Sequence, residues 1–328
     1  MSSREIGRYE GDIDLAHGEL NSETGFRCLD LEAIFANLSL DYLITQNQAK
    51  HEFAFRILGG TLEIVVCCKR VPDTSEAEVA VDSSGRDIRR ERLAFTINEA
   101  DNYALEEALL VKEKLGGTVT LVSIGPKEVD DVLRMGLAKG ADKAVRLTDE
   151  KFAESDAIAR ARILAKAIAP LKSDLVLCGS QASDDGEAET GLMLAELLGL
   201  PHAAYAAKLS LRHEGLTGSA FKVWRELEGG LLEMLELPLP AVVTVQTGIN
   251  QPRYASIIGI KRAQAKELKV LDAAGAGVAP EEVGLQGSRT ALDKLYVPVA
   301  ESHAEILQGD VNEASGKLAQ ILKERGLL

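Results

Sequence analysis

The chain has 328 residues, of which 46% are hydrophobic and 27% are charged, and its formal net charge is −14 at pH 7. This length and composition suit about two domains with a buried core. The acidic charge argues against a general nucleic-acid binder and against docking on an anionic membrane. No apolar run approaches the ~20 residues that cross a bilayer, and the polar start is not a secretory signal.

The four cysteines form no C-x-x-C pair and no metal-ligand spacing. This pattern indicates reduced thiols, a cytoplasmic setting and no metal site.

Residues 1–61 differ from the rest of the chain. Only 29–44 has helical periodicity, and a buried-strand run begins abruptly at Leu62. Gly59 and Gly60 can be encoded by a purine-rich ribosome-binding sequence, and Leu62 by a TTG start codon. We therefore expect either that 1–61 is translated upstream sequence and the working protein starts near Leu62, or that 1–61 is a disordered, poorly packed extension.

From residue 62 onward, strands alternate with helices. The pattern predicts strands at 62–68, 118–124, 143–147 and 174–178, and helices at 98–115, 126–140, 157–169 and 187–198. Strand–helix alternation at this spacing implies right-handed crossovers and a mainly parallel sheet. We therefore expect one doubly wound α/β domain over 62–250.

The last third of the chain has a different pattern. Extended segments at 203–209, 217–224, 231–237 and 241–246 are predicted to add antiparallel strands to one edge of the sheet. In the tail, 251–328, helices are predicted at 255–270 and 305–326, with a loose small-residue stretch between them. A tail with few core residues either lies across a partner or wraps on its own domain.

Two loops carry the better signals for a binding site. The segment CGSQASDDGEAETGL, 178–192, follows a strand and opens a helix, where ligands of open α/β sheets bind. Its small residues would let backbone N–H groups face a phosphate, whereas its acids would bond a ribose or an adenine amino group, cap the helix or be solvated. The second loop, FTINEADNY, holds a capping-box-like pair, Asn98 and Asp101. Composition alone favours helix caps in both loops.

Other chemistry is not indicated. The sequence has no G-x-S-x-G elbow, no Walker loop and no G-x-G-x-x-G motif, so we predict no catalytic residue. Tyr254, Ile257 and Ile258 would be apolar on the surface, either through local packing or as a docking knob for a partner.

Five segments, taken in order, resemble the beta (small) subunit of electron-transfer flavoprotein. They are IVVCCKRVPDT, INEADNYALEEAL, GSQASDDGEAETG, VWRELEGG and LPAVVTVQTGINQPRYAS. The resemblance covers essentially 62–328 and leaves out 1–61. It implies an adenine-nucleotide alpha-hydrolase-like α/β fold, with the tail, 251–328, packing on an alpha subunit.

The resemblance also implies cofactors and their site. FAD would be held mostly by the alpha subunit at the interface, with Asp73 and Thr74 facing the flavin from this side. This chain would contribute an adenine-nucleotide site that usually holds AMP in a structural role. The residues that the family pattern places in this nucleotide site are Cys67, Asn98, Glu99, Ala100, Asp101, Ile124, Gly179, Ser180, Gln181, Ala182, Ser183, Asp184, Asp185, Gly186, Glu187, Ala188, Glu189 and Thr190.

The implied function is that of an electron carrier rather than a substrate-specific catalyst. Such a carrier accepts electrons from acyl-CoA dehydrogenase-type flavoenzymes in fatty acid oxidation and passes them to a quinone-linked or other acceptor. The docking loop would be 252–260, with Ile257 as its apolar anchor beside Tyr254 and Ile258.

Two alternatives remain open. In electron-bifurcating relatives a second FAD takes the place of AMP, and their loop typically reads DGDTAQVGP. The pair Asp184-Asp185 and the step Thr190-Gly191 look more like AMP binders, whereas VPDT at 71–74 resembles the bifurcating kind. The other alternative is a non-redox adenine-nucleotide-binding module on the same fold.

Overall fold

The structure is a computed structural model that describes residues 62–75, 78–213, 219–298 and 306–328. The expectations for 1–61, including a helix at 29–44, lie outside these residues. Within the described ranges, nine strands form one sheet and two short strands form another.

Seven neighbouring strands of the large sheet run parallel, and two antiparallel strands extend one edge. Across the sheet the order is β11 (Leu268–Leu271), β5 (Lys143–Leu147), β4 (Thr118–Ile124), β1 (Glu63–Cys67), β6 (Leu175–Gly179), β10 (Ala241–Val245), β7 (His202–His213), β8 (Ser219–Glu226) and β9 (Leu232–Pro238). The small sheet pairs β2 (Arg70–Pro72) with β3 (Phe95–Ile97).

The described helices are α1 (Glu99–Leu115), α2 (Asp130–Lys139), α3 (Ala157–Ile168), α4 (Thr190–Leu198), α5 (Ile257–Ala263), α6 (Gly284–Gly287) and α7 (Val311–Glu324). Of these, α1 to α4 cover the two faces of the large sheet. Side chains of α1 and α2 belong to one apolar core and those of α3 and α4 to another. This arrangement confirms the predicted doubly wound, mainly parallel α/β fold. Among the described residues, no helix has the length and apolar character needed to cross a membrane.

Local sequence explains the central elements. Strand β1, EIVVC, has four buried residues in a row, as expected of a parallel strand covered on both faces. In α1, Ala104, Leu105, Ala108 and Leu109 recur at helical spacing and are buried, so one stripe faces the sheet. The helix ends at Gly116, whose φ of 75° suits glycine.

The predicted pairing of the later strands was wrong in part. Only β8 and β9 add antiparallel strands to the edge, while β10 lies between β6 and β7 and runs parallel to both. All five residues of β10, AVVTV, are buried. A short apolar run of this kind is typical of a central parallel strand rather than an edge strand.

The single helix predicted at 255–270 divides into α5 and β11. The Arg134 guanidinium donates to the carbonyl oxygens of Ala263, the last residue of α5, and of Lys266 beyond it, at 2.7 and 2.8 Å. Strand β11 then pairs in parallel with β5. The sheet therefore continues beyond the predicted domain boundary at residue 250.

The loose stretch after β11 packs on the domain itself. Ala273, Val278 and Val283 are buried in the core that α3 and α4 share. The Arg162 side chain donates to the carbonyl oxygen of Gly287 at 2.7 Å. This part of the tail wraps on its own domain, whereas α7 has no buried residue.

Candidate functional site

A cleft of about 230 Å³ opens at the carboxyl ends of β1, β4 and β6. This is the position at which ligands bind in open α/β sheets. Its lining residues are Cys67, Cys68, Lys69, Asp101, Val122, Ser123, Ile124, Arg160, Leu164, Cys178, Gly179, Ser180, Gln181, Ala182, Asp185, Glu187, Ala188, Glu189, Thr190 and Gly191.

One wall of the cleft is largely apolar and includes two buried thiols. Cys67 ends β1, and Cys178 lies next to it in β6, because the last paired residues before them are Val66 and Leu177. A hydrogen bond with Cys178, together with burial, raises the pKa of the Cys67 thiol well above its usual range. The Cys67 thiol therefore stays protonated and contributes an uncharged surface beside Ile124 and Leu164.

Asp101 joins two of the strand ends that form the cleft. Its carboxylate accepts hydrogen bonds from the amide of Lys69, at 2.8 Å, and from the amide of Gly179, at 2.9 Å. Burial raises the pKa of Asp101 to about 6, although both of these bonds act to lower it. Since Asp101 is in the first turn of α1, this helix fixes the ends of β1 and β6 relative to each other.

Asn98 holds the loop after β6 and does not cap α1 with its side chain. Its Nδ2 group donates to the carbonyl oxygen of Gln181 at 2.9 Å, and its Oδ1 atom accepts from the amide of Ser183 at 3.1 Å. The capping-box interpretation of Asn98 and Asp101 was therefore wrong. Both side chains reach across to residues about 80 positions later in the chain, which local pattern cannot show.

Two cations pair with three of the four acids of the loop. Lys69 Nζ lies 2.6 Å from an oxygen of Asp184 and 2.7 Å from an oxygen of Asp185. Arg160, on α3, pairs with Asp185 at 3.0 Å and also with Glu187. Three of the acids that are unusual for a phosphate-binding loop are thus paired with positive charge, from the residue two positions after β1 and from α3.

These ion pairs affect two of the acids that line the cleft, Asp185 and Glu187, differently. Burial acts to raise the pKa of Asp185, but Lys69 and Arg160 outweigh it and hold the pKa below its ordinary value. For Glu187, burial prevails over the attraction of Arg160 and the pKa is raised. Glu187 is consequently the acid of this pair that takes up a proton more readily.

The loop does not cap the start of α4. The helix begins at Thr190 and not at the predicted residue 187, and no side chain caps its first amides. The acids of the loop therefore pair with cations instead of capping the helix. Close by in the lining, Arg160 Nε is buried and forms no hydrogen bond within the described part of the chain. Unpaired donors at this end of the cleft suit an anionic group.

The structure brings most of the predicted nucleotide-site residues to this cleft. Those that line it are Cys67, Asp101, Ile124, Gly179, Ser180, Gln181, Ala182, Asp185, Glu187, Ala188, Glu189 and Thr190. The remaining six, which are not among the lining residues, are Asn98, Glu99, Ala100, Ser183, Asp184 and Gly186.

Sequence reasoning missed Lys69 and Arg160. Lys69 follows the first strand directly, so its place at a strand end was a usable signal. Arg160 lies near the start of α3, where the helix dipole disfavours a cation. This unfavourable position was the signal that could have indicated an ion pair between Arg160 and residues outside its own helix.

The other predicted residues lie outside the cleft lining. Asp73 accepts hydrogen bonds from the amide and hydroxyl of Ser75, and Thr74 beside it is exposed. Tyr254, Ile257 and Ile258 are also exposed, at 96%, 76% and 62%. The structure describes no group of metal-ligating side chains in the ranges it covers.

Known proteins share the part of the chain that builds the cleft. A family model for the electron transfer flavoprotein domain matches residues 87–276. This range includes Asn98, Asp101, Arg160 and the loop after β6.

Curated relatives align over most of the chain. A protein of Methylophilus methylotrophus named electron transfer flavoprotein subunit beta is 38% identical over 265 residues, covering 80% of this chain and 98% of the relative. One with the same name from Thermoanaerobacterium thermosaccharolyticum is 39% identical over 268 residues, covering 81% and 100%. The caffeyl-CoA reductase-Etf complex subunit CarD of Acetobacterium woodii is 34% identical over 270 residues, covering 81% and 100%.

Proposed function

Since this chain belongs to the family of electron transfer flavoprotein beta subunits, we propose that it holds AMP in the cleft and completes a heterodimeric electron carrier. The alpha subunit of that heterodimer carries most of the FAD site. The three cysteines in the described part of the chain are buried free thiols, which suits a reducing cytoplasm.

The residues of the cleft fit an adenine mononucleotide. The observation that carries the proposal is an apolar wall together with unpaired donors, namely Arg160 Nε and the uncapped amides at the start of α4, at the carboxyl end of the sheet. AMP is favoured over a second FAD by the pair Asp184-Asp185 and the step Thr190-Gly191, which look more like those of AMP binders.

Each end of the cleft suits one part of AMP. The Nε atom of Arg160 and the uncapped amides at the start of α4 would hold the phosphate. Ile124 and Leu164 would contact the adenine ring, and the Asp185 carboxylate would accept a hydrogen bond from a ribose hydroxyl.

FAD supplies the redox chemistry, since flavin carries one or two electrons. The part of this chain in the carrier is to complete the flavin pocket, with Asp73 and Thr74 on the side that faces it. Asp73 is ionised, because its hydrogen bonds with Ser75 lower its pKa. No acid or base from this chain is needed, which agrees with the lack of a catalytic motif.

The proposed electron donors are acyl-CoA dehydrogenase-type flavoenzymes of fatty acid oxidation, and the proposed acceptor is quinone-linked. The exposed side chains Tyr254, Ile257 and Ile258 form the surface that meets the donor, and we call them the docking surface. A cluster of exposed large apolar side chains is typical of a recognition site.

The test is the nucleotide content of the heterodimer purified with its alpha subunit. After denaturation, chromatography should give one FAD and one AMP per heterodimer. Two FAD and no AMP would overturn the AMP assignment and favour a bifurcating carrier, in keeping with the similarity to a subunit of a caffeyl-CoA reductase complex. AMP without a flavin-bearing partner would indicate a non-redox nucleotide-binding module.

A further inference from the structure

The backbone that carries the docking surface is held by contacts on both sides, although the three side chains themselves are exposed. Apolar side chains at 96%, 76% and 62% exposure would gain free energy by folding back onto the protein. The contacts on both sides of this segment prevent that. They are made by residues other than the three exposed side chains of the docking surface.

The upstream anchor is a salt bridge between Arg253 and Glu106. Glu106 lies on α1, and its side chain is only 5% exposed. Its carboxylate accepts from the Arg253 backbone amide at 3.0 Å, from Nε at 2.9 Å and from Nη2 at 2.8 Å. This two-pronged pairing fixes both the direction of the guanidinium and the backbone immediately before Tyr254.

A second contact to α1 lies three residues earlier. The Asn250 side chain donates to the carbonyl oxygen of Tyr103 at 3.1 Å and to the Glu107 carboxylate at 2.9 Å. The chain from 250 to 253 is thereby held along one helix at two positions.

The downstream side rests on α2. The Ser256 hydroxyl caps α5 by accepting from the Gly259 amide at 3.0 Å. Gly259 packs so closely on α2 that a Cβ atom there would lie 2.4 Å from the carbonyl oxygen of Ala138. The docking surface therefore lies between two anchored points.

We propose that Glu106 and Arg253 are positioning residues that hold the docking surface in its binding conformation before the donor flavoenzyme arrives. A surface that is ordered in advance loses less conformational entropy on binding. Arg253 cannot leave easily, because Glu106 would then be a buried charge without its partner. This inference rests on the proposed docking function, and it adds the residues that prepare the surface.

The first test needs no donor protein. Glu106→Gln keeps the shape of the buried side chain and removes its charge. In the purified heterodimer, hydrogen exchange at 253–258 should become about tenfold faster in this variant, since the bond to the Arg253 amide is weakened. Glu113→Gln is the matched control, because Glu113 pairs with the same guanidinium but has a 56% exposed side chain. Its exchange should match that of the wild type, and equal exchange in Glu106→Gln would overturn the proposal.

The second test measures reduction of the heterodimer flavin by an acyl-CoA dehydrogenase from the same genome, itself reduced by acyl-CoA. Arg253→Lys keeps the charge but loses the two-pronged pairing. It should raise the half-saturating heterodimer concentration about tenfold, with the saturating rate and the FAD and AMP content unchanged. In a chain that already carries Ile257→Ala, Arg253→Lys should raise the half-saturating concentration by less than about twofold further, because Arg253 acts through Ile257.

The outcomes separate the inference from the function on which it rests. If Ile257→Ala alone leaves flavin reduction unchanged, the docking function is wrong and the positioning role falls with it. If Ile257→Ala weakens reduction but Arg253→Lys and Glu106→Gln do not, the docking function stands and the positioning role is overturned. The positioning role would also be overturned if Arg253→Lys raised the half-saturating concentration equally in the wild-type chain and in the Ile257→Ala chain. Such an equal effect would mean that Arg253 acts independently of Ile257.

Discussion

The Asp101 carboxylate accepts a hydrogen bond from the amide of Gly179 at 2.9 Å, although 78 positions separate the two residues. Gly179 ends β6, and Asp101 lies in the first turn of α1. The contact is so close that a Cβ atom on residue 179 would lie 2.3 Å from Asp101 Oδ1 and 2.7 Å from the Asp101 amide nitrogen. The edge of the cleft therefore depends on a glycine at residue 179.

Gly179→Ala should lower the free energy of unfolding by about 3 kcal/mol and release the nucleotide, because the added methyl group meets backbone atoms that cannot move aside. Gly316→Ala is the control, since nothing lies within 4 Å of a Cβ atom there and the residue is inside α7. That change should raise stability by up to about 1 kcal/mol. Denaturant unfolding of both variants checks the prediction, and equal effects would contradict it.

Asp101→Asn should change how stability depends on pH. The pKa of Asp101 is raised to about 6 in the folded chain, so the folded state holds a proton that the unfolded state has already lost. Its contribution to stability therefore falls as pH rises through about 6. Relative to Asp101→Asn, the wild type should lose about 1 kcal/mol between pH 5 and pH 7. Urea unfolding at these two pH values measures the difference, and parallel pH profiles would contradict the prediction.

The sequence was sufficient for the fold class and for the position of the cleft, because both follow from alternating strands and helices and from loops at strand ends. The role of Asp101 was not predictable. Its short spacing from Asn98 matches a helix cap, whereas its actual partners are amides of Lys69 and Gly179. The position of β10 in the sheet was not predictable either. A short run of buried residues indicates a strand, but it does not indicate which strands will be its neighbours.

The acidic loop shows the same limit. Local composition favours helix caps, but Lys69 and Arg160 approach from two other elements and take the carboxylates. The interactions of this loop therefore depend on charges that the fold brings together. The sequence around the loop contains the acids but not the cations that pair with them.

Arg160→Gln should weaken AMP retention about tenfold, since a charge-assisted hydrogen bond to the phosphate is lost. The FAD content should not change, because Arg160 lies at the nucleotide cleft of this chain. Lys166→Gln, an exposed change on the same helix, is the matched control for the loss of one positive charge. AMP and FAD are quantified after gel filtration of each heterodimer, and equal AMP loss in both variants would indicate a general charge effect instead of binding.

Asp156→Ala should loosen the segment after α6 together with the start of α3. The Asp156 carboxylate caps α3 through the Ala159 amide and also accepts from the amides of Arg289 and Thr290, at 2.6 and 2.9 Å. Although burial acts to raise its pKa, these bonds lower it to about 2, so the group is charged at neutral pH. Removing the Asp156 carboxylate leaves three donors without their acceptor and should cost about 3 kcal/mol of unfolding free energy.

Asp310→Ala, which removes the cap of the exposed α7, is the control and should cost about 1 kcal/mol. Limited proteolysis distinguishes the two variants, because only Asp156→Ala should increase cleavage near 289–298. Cleavage there at the wild-type rate would mean that the apolar contacts of Val278 and Val283 hold this segment without Asp156.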